Sequence, residues 1–183
     1  MATRAGFGTI FHSSGIVHFV LGGRKASIAI KSLLANDNLN VRFGEIFHGW
    51  LPITFGIADT NTLVDASDVP TDPIATLVSL SRFLVSVELG SQAFEFHLEP
   101  EYCMLTATKA EDNETVIRLE QPGCDFAQFG LLRVATATQI WHAVRRIESA
   151  VRSAVASDHW SWDFPSAQVD MLATEIQFAN SAH

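Results

Sequence analysis

Cysteine is scarce in this sequence, since Cys103 and Cys124 are the 2 cysteines among 183 residues. So few cysteines in a chain of this length exclude a disulfide framework. Cys103 falls within an alternating strand pattern, which predicts a buried thiol. It has no neighbouring group in the sequence that would mark it as an activated nucleophile.

Basic residues are also few, with 12 Lys and Arg against 20 Asp and Glu and a formal net charge of -8. General binding to nucleic acid needs clustered Lys and Arg, because affinity comes from the release of counterions from phosphates. The composition therefore argues against nucleic acid and against anionic membrane surfaces as partners. It suits a basic protein partner instead.

Long hydrophobic runs are missing, because no stretch approaches the roughly 20 apolar residues that a membrane-spanning helix needs. The apolar residues 7–11 end at His12 before a signal-peptide core develops, so we expect a cytoplasmic protein. A composition that is 48% hydrophobic and 17% charged excludes an intrinsically disordered chain. The length suits one domain covering residues 1–183.

Local catalytic motifs are absent as well. The sequence contains no G-x-S-x-G, H-E-x-x-H, C-x-x-C or G-x-G-x-x-G pattern. Residues 22–25 read Gly-Gly-Arg-Lys, but they lack the spacing of a phosphate-binding loop and fit a hairpin turn better. The sequence therefore identifies no catalytic residue, cofactor or metal ligand. Catalytic groups from distant positions remain an alternative.

Residues 71–121 hold the clearest organisation in the chain. Asp72 is a helix cap followed by Pro73 at the first helical position, and the apolar run 74–89 predicts a largely buried helix. Gly90 ends that run. Three alternating segments follow and predict an antiparallel meander, at residues 93–98, 102–107 and 115–121.

The N-terminal part of the chain reads as short strands separated by turns. The strand patterns cover residues 7–11, 16–21, 26–34, 39–43 and 53–57, whereas the polar residues 59–71 predict a loop. Residues 124–132 read as a bridge to a second helix, whose apolar positions repeat from Ile140 to Val155 and whose cap is Thr136 or Thr138. A third helix is predicted after Ser166.

This order of elements indicates an α+β fold rather than alternating βαβ units. We expect an antiparallel sheet built from the N-terminal strands and the central meander. One central helix and two C-terminal helices are expected to pack against that sheet.

Glu95, His97 and Glu99 alternate along a predicted strand and therefore share one face. Oxygen and nitrogen ligands at this spacing suit a metal site or a contact surface for a partner. A solvated face of an antiparallel sheet has the same pattern and is the simpler interpretation.

The segment 159–165 is rich in aromatic residues and joins the last two helices. Tryptophan is enriched at binding hot spots, which makes this segment a second candidate contact surface. The alternative is that its rings fill the space between the helices and the sheet. The candidate binding residues in this segment are His159, Trp160, Trp162 and Asp163.

Arg145, Arg146 and Arg152 lie on the second predicted helix near His142 and suit a phosphate or an acidic partner. Glu148 and Arg152 have the i, i+4 spacing of a helical ion pair. A solvated helix face is the favoured interpretation of this cluster.

Three short motifs occur in order around the helix and meander: Asp72-Pro73, Glu99-Pro100 and Trp162-Asp163-Phe164-Pro165. In these motifs the chain resembles small uncharacterised bacterial α+β proteins, and the resemblance covers about the last two thirds of the chain. In size, acidity and architecture it is also similar to immunity proteins that neutralise bacterial toxins. The second likeness implies a non-enzymatic protein that binds another protein.

The preferred hypothesis is therefore a non-enzymatic protein-binding module. The alternative is a small-molecule or metal-binding protein or an enzyme that uses a cavity between the sheet and the helices, with His97 and His159 as candidate bases. A homo-oligomer held together by an apolar helix face is a third hypothesis.

Overall fold

A computed structural model describes residues 11–13, 16–21, 24–29, 39–57, 60–110, 113–122 and 127–181. The chain divides into two compact units, Met1–Asn36 and Asp37–His183, which are described separately. A single domain over residues 1–183 stays a prediction.

The described part of the first unit is an antiparallel sheet with strand order β1-β2-β3. Its strands are β1 (Phe11–Ser13), β2 (Ile16–Leu21) and β3 (Arg24–Ala29). Phe11 pairs with His18, and Leu21 pairs with Arg24. The antiparallel pairing of β2 with β3 agrees with the hairpin predicted at residues 22–25, of which Arg24 and Lys25 belong to β3. The predicted strand at residues 7–10 lies outside the described residues.

The described part of the second unit contains two antiparallel sheets and three helices. The first sheet has the order β4-β5-β6, from β4 (Asn40–Phe43), β5 (Trp50–Ile57) and β6 (Thr60–Ser67). The second has the order β10-β9-β8-β7, from β7 (Gly90–His97), β8 (Tyr102–Lys109), β9 (Glu114–Glu120) and β10 (Ala127–Leu132). The helices are α1 (Pro73–Val85), α2 (Arg133–Ala156) and α3 (Ser166–Ser181).

The predicted α+β class is confirmed, as are the central helix, the meander and the two C-terminal helices. The strands are hydrogen-bonded as separate sheets rather than as one. The sheets of the second unit nevertheless share a hydrophobic core, in which the rings of Phe55 from β5 and Phe96 from β7 have centroids 6.1 Å apart.

Two elements correct the sequence prediction. The polar stretch 59–71 is mostly strand, because β6 pairs along its whole length with β5 and buries Val64 and Ala66. Pairing with a neighbour and alternate burial outweigh the polar composition of its other face. Residues 127–132 form β10 instead of a bridge, because they complete the second sheet by pairing with β9.

The ends of the helices follow from local chemistry. The Asp72 side chain accepts a hydrogen bond from the N–H of Ile74 at 2.8 Å, which confirms the predicted cap of α1. The predicted caps of α2 are wrong. That helix begins at Arg133, and the hydroxyls of Thr136 and Thr138 donate to main-chain oxygens one turn earlier.

No helix in the described residues is both long enough and apolar enough to cross a membrane.

Candidate functional site

The N-terminal turn of α1 carries a partly buried carboxyl group, that of Asp72. Burial raises the pKa of Asp72 to about 6, and the negative charge of Asp68 acts in the same direction. The backbone N–H groups of Ile74 and Ala75 oppose this rise because they stabilise the carboxylate. Asp72 can therefore change its charge close to neutral pH.

Strand β7 places two of the predicted site residues on one face, as alternation along a strand requires. Phe94 and Phe96 point into the core, whereas Glu95 is exposed and His97 is partly exposed. Glu99 departs from the predicted face, because β7 ends at His97. Glu99 has a positive φ of 37° and accepts a hydrogen bond from the hydroxyl of Ser67 at the end of β6.

The two tryptophans of the segment 159–165 have different environments. Trp160 is 4% exposed and belongs to the hydrophobic core, which agrees with the alternative of a ring that fills space. Trp162 is 40% exposed. Its indole N–H donates to the main-chain oxygen of Asp68, which fixes the ring at the surface.

Asp68 holds this segment with a second hydrogen bond, which its side chain accepts. Asp68 is 3% exposed, and its carboxylate accepts a hydrogen bond from the N–H of Ser161 at 2.6 Å. The N–H of Asp68 in turn donates to the oxygen of Gly49, in the turn between β4 and β5. The position of Trp162 is thus tied, through Asp68 and Gly49, to the residue that follows β6 and the residue that precedes β5.

Asp72, the exposed face of β7 and Trp162 line one surface groove of about 640 Å³, which we call the Trp162 groove. It is formed by the start of α1, by β7 and by the segment that leads into α3. The groove is lined by Pro70, Thr71, Asp72, Ala75, Thr76, Ser79, Gln92, Ala93, Phe94, Glu95, His97, Trp162, Pro165 and Gln168.

The charged and titratable side chains of the Trp162 groove are Asp72, Glu95 and His97, and its lining includes no Lys or Arg. The groove therefore combines an exposed indole with two carboxyl groups and an imidazole. Among the described residues, no group of three or more His, Cys, Asp or Glu side chains is placed to hold a metal ion. The chemistry of the groove is that of an acidic surface with an aromatic wall.

The remaining predicted site residues do not line this groove. The imidazole of His159 faces that of His48, with ring centroids 4.8 Å apart, and the oxygen of His159 accepts from the N–H of Gly49 at 2.8 Å. Asp163 is exposed and follows Trp162. The residues predicted from the sequence thus include members of two of the three elements that form the groove, whereas His159 and Trp160 serve mainly to anchor the aromatic segment.

Arg145 and Arg152 of α2 form ion pairs, as the favoured interpretation of that cluster expects. Arg145 lies 3.1 Å from Glu148 and 3.4 Å from Asp170, and Arg152 lies 2.8 Å from Glu148. A shallow depression of about 330 Å³ is lined by Gln139, His142, Arg145 and Arg146. All four lining residues belong to α2, so this depression is part of the surface of a single helix.

Sequence reasoning identified Asp72 as a helix cap but missed its place in the groove. No local pattern reports that the start of α1 lies beside β7, because that arrangement depends on how the helix packs against the second sheet. Gln92, Ala93 and Gln168 carry no sequence signal of their own. Comparisons with protein-family models, with curated proteins and with solved structures find no match to this chain.

Proposed function

We propose that this protein is a non-enzymatic binding module that recognises another protein through the Trp162 groove. One observation carries the proposal: three segments far apart in the sequence bring Asp72, Glu95, His97 and Trp162 to one surface. Exposed tryptophans are enriched among residues that dominate binding energy at protein interfaces. A fixed indole beside exposed polar side chains has the composition of such an interface.

The shape of the groove favours a protein over a small molecule. Small-molecule sites enclose most of their ligand's surface. Here the lining residues Ser79, Gln92, Ala93 and Glu95 are exposed. The alternative hypothesis requires a cavity between sheet and helices that encloses a ligand, whereas the Trp162 groove, which lies between β7 and α1, is open at the surface.

The charge of the groove favours a basic partner. Its two carboxyl groups have no Lys or Arg beside them in the lining, and the whole chain carries a net charge of -8. Complementary charge speeds encounter and excludes acidic competitors. Neutralisation of a basic bacterial toxin is a concrete version of this function, supported by the acidity of the chain.

The test is a quantitative pull-down from a lysate of the source organism, with the wild-type protein and two variants as bait. Trp162→Ala removes the exposed indole of the groove. Phe178→Ala is the matched control, because Phe178 is an aromatic residue on α3 that is 71% exposed and does not line the groove.

We expect a stoichiometric protein partner that is retained by the wild type and Phe178→Ala but lost with Trp162→Ala. Thermal unfolding of each variant must show that the fold persists. A folded Trp162→Ala variant that retains the partner as well as the wild type does would refute the proposal.

A further inference from the structure

Strand β7 lies at an edge of its sheet. In the described residues it pairs on one side only, with β8. The C-terminal end of β7 lies near β6, and just beyond it Glu99 accepts a hydrogen bond from Ser67, the last residue of β6. The open part of the edge is therefore Gly90 to Glu95, where every residue except Phe94 is exposed.

The direction of the main-chain groups along this edge follows from the register. The N–H of Leu98 donates to the oxygen of Glu101 at 2.8 Å, so this opposed pair is hydrogen-bonded. Antiparallel pairs alternate between hydrogen-bonded and non-hydrogen-bonded. The even-numbered residues of β7 therefore direct their N–H and C=O groups to β8, and the odd-numbered residues direct theirs to the open edge.

A second contact supports this assignment. The hydroxyl oxygens of Ser91 and Thr108 lie 2.9 Å apart across the pair. Such close side chains are typical of a non-hydrogen-bonded pair, in which the Cα atoms approach most closely. Ser91, Ala93 and Glu95 thus present free donors and acceptors outward, and the last two of these residues also line the Trp162 groove.

We infer that the partner contributes an extended, basic segment that adds to β7 as a further strand of the sheet. This inference rests on the proposed function of the groove and names the mode of binding. Main-chain hydrogen bonds to Ala93 and Glu95 supply affinity, as in other cases of strand addition. Alternate side chains of the segment then point into the groove.

The charges of the groove decide between a foreign segment and a second copy of this chain. A second copy of this chain would bring together two acidic grooves on molecules that each carry a net charge of -8, and repulsion between like charges opposes that pairing. A Lys or Arg of the incoming strand would instead pair with Glu95 and Asp72. The planar guanidinium of Arg also stacks on an indole such as Trp162.

The probe is a short fluorescein-labelled peptide in which Val and Arg alternate, and the readout is fluorescence anisotropy. A peptide in which Glu replaces Arg is the charge control. The variant Ala93→Pro removes one outward N–H group, and proline is tolerated where an edge strand faces solvent. Ala93→Ser is the matched control, because it keeps that group.

We expect the Val–Arg peptide to bind the wild type and the Ala93→Ser variant, with the Glu peptide unbound. The dissociation constant should rise roughly fivefold or more for Ala93→Pro, since one hydrogen bond is lost. N-methylation of the peptide backbone should weaken binding to the wild type in the same way. This measurement keeps the inference testable if Ala93→Pro does not fold.

Failure of the inference is distinguishable from failure of the proposed function. If the partner depends on Trp162 but the Val–Arg peptide does not bind, the groove is a contact surface and strand addition is wrong. The same conclusion follows if Ala93→Pro and N-methylation leave binding unchanged. A dimer that dissociates with Ala93→Pro in sedimentation would show that a second copy occupies the edge, which also overturns the inference.

Discussion

The indole N–H of Trp162 donates a hydrogen bond to the main-chain oxygen of Asp68, 94 positions earlier in the chain. The Asp68 carboxylate meanwhile accepts from the N–H of Ser161, so one residue at the end of β6 holds two consecutive residues of the aromatic segment. This double attachment fixes the side of the Trp162 groove that carries the indole.

The first prediction concerns that attachment. Asp68→Ala leaves the N–H of Ser161 without its acceptor, so the free energy of unfolding should fall by about 1 to 3 kcal/mol. Urea unfolding followed by circular dichroism measures this change. Asp65→Ala is the control, because Asp65 is exposed on β6 just before Asp68, and its loss should change stability by no more than about 0.5 kcal/mol. Equal effects of the two substitutions would contradict the role given to Asp68.

Much of the fold can be predicted from local patterns. The meander strands and the buried faces of α1 and α2 follow from periodicity, and the start of α1 follows from the capping chemistry of Asp72. Local patterns miss strand β6, because polar residues dominate its exposed face. Pairing with β5 and the burial of Val64 and Ala66 in the core decide its conformation. Strand β10 was missed for a related reason, since its pairing with β9 decides its conformation.

The site could be predicted only in part. Glu95, His97 and Trp162 were singled out by residue type and spacing, and all three line one groove. Their meeting with Asp72 depends on contacts of α1 and the aromatic segment with β7, which no local pattern encodes. Trp160 has the same residue type as Trp162, and only tertiary contacts make one of them part of the core and the other part of the surface.

The second prediction concerns the pH dependence of stability at Asp72. The folded-state pKa is about 6 and the ordinary value is 3.8, so between these values the folded state binds more protons than the unfolded state. The contribution of Asp72 to the free energy of unfolding is therefore largest below pH 3.8. It falls as the pH rises from 3.8 to about 6. Burial of the carboxyl group near Asp68 is the cause.

The Asp72→Asn variant tests this dependence, because Asn caps a helix as well as Asp does and does not titrate. We expect the variant to gain stability relative to the wild type as the pH rises from 3.8 to about 6, in urea unfolding at a series of pH values. Asp72→Ala should be less stable than Asp72→Asn by about 1 kcal/mol, since it loses the cap. If the wild type instead became more stable relative to Asp72→Asn as the pH rises, the predicted direction of the pH dependence would be wrong.

The third prediction compares two cationic side chains near the C-terminal end of α1. The buried Lys109 ammonium donates to the oxygens of Phe83 and Ser86, and burial lowers its pKa. Lys109→Met leaves those oxygens without this donor and should cost about 2 to 3 kcal/mol of unfolding free energy.

Arg82 supplies the control for this prediction, because it forms an exposed ion pair with Glu175 of α3 at 2.8 Å. Solvent screens such pairs, so Arg82→Met should cost less than about 1 kcal/mol. Urea unfolding of both variants gives the comparison. If Arg82→Met were more destabilising than Lys109→Met, the prediction that the buried cation contributes more to stability than the exposed one would be wrong.

The fourth prediction concerns the charge of the Trp162 groove. Glu95→Gln removes one carboxylate without changing the size of the side chain, so a basic partner should bind roughly three- to tenfold more weakly at low ionic strength. The difference should shrink as salt is added, because salt screens the interaction. Glu101→Gln is the control, since Glu101 is exposed beyond β7 and does not line the groove. Titration by anisotropy or calorimetry at several salt concentrations checks this result.

Hydrogen–deuterium exchange with and without the captured partner shows whether the Trp162 groove and the β7 edge form the contact surface. We expect slower exchange at Ala93 and Glu95, whose outward N–H groups the partner would engage, together with protection around Trp162. Protection confined to the arginine-bearing face of α2, with exchange in β7 unchanged, would show that the partner binds elsewhere.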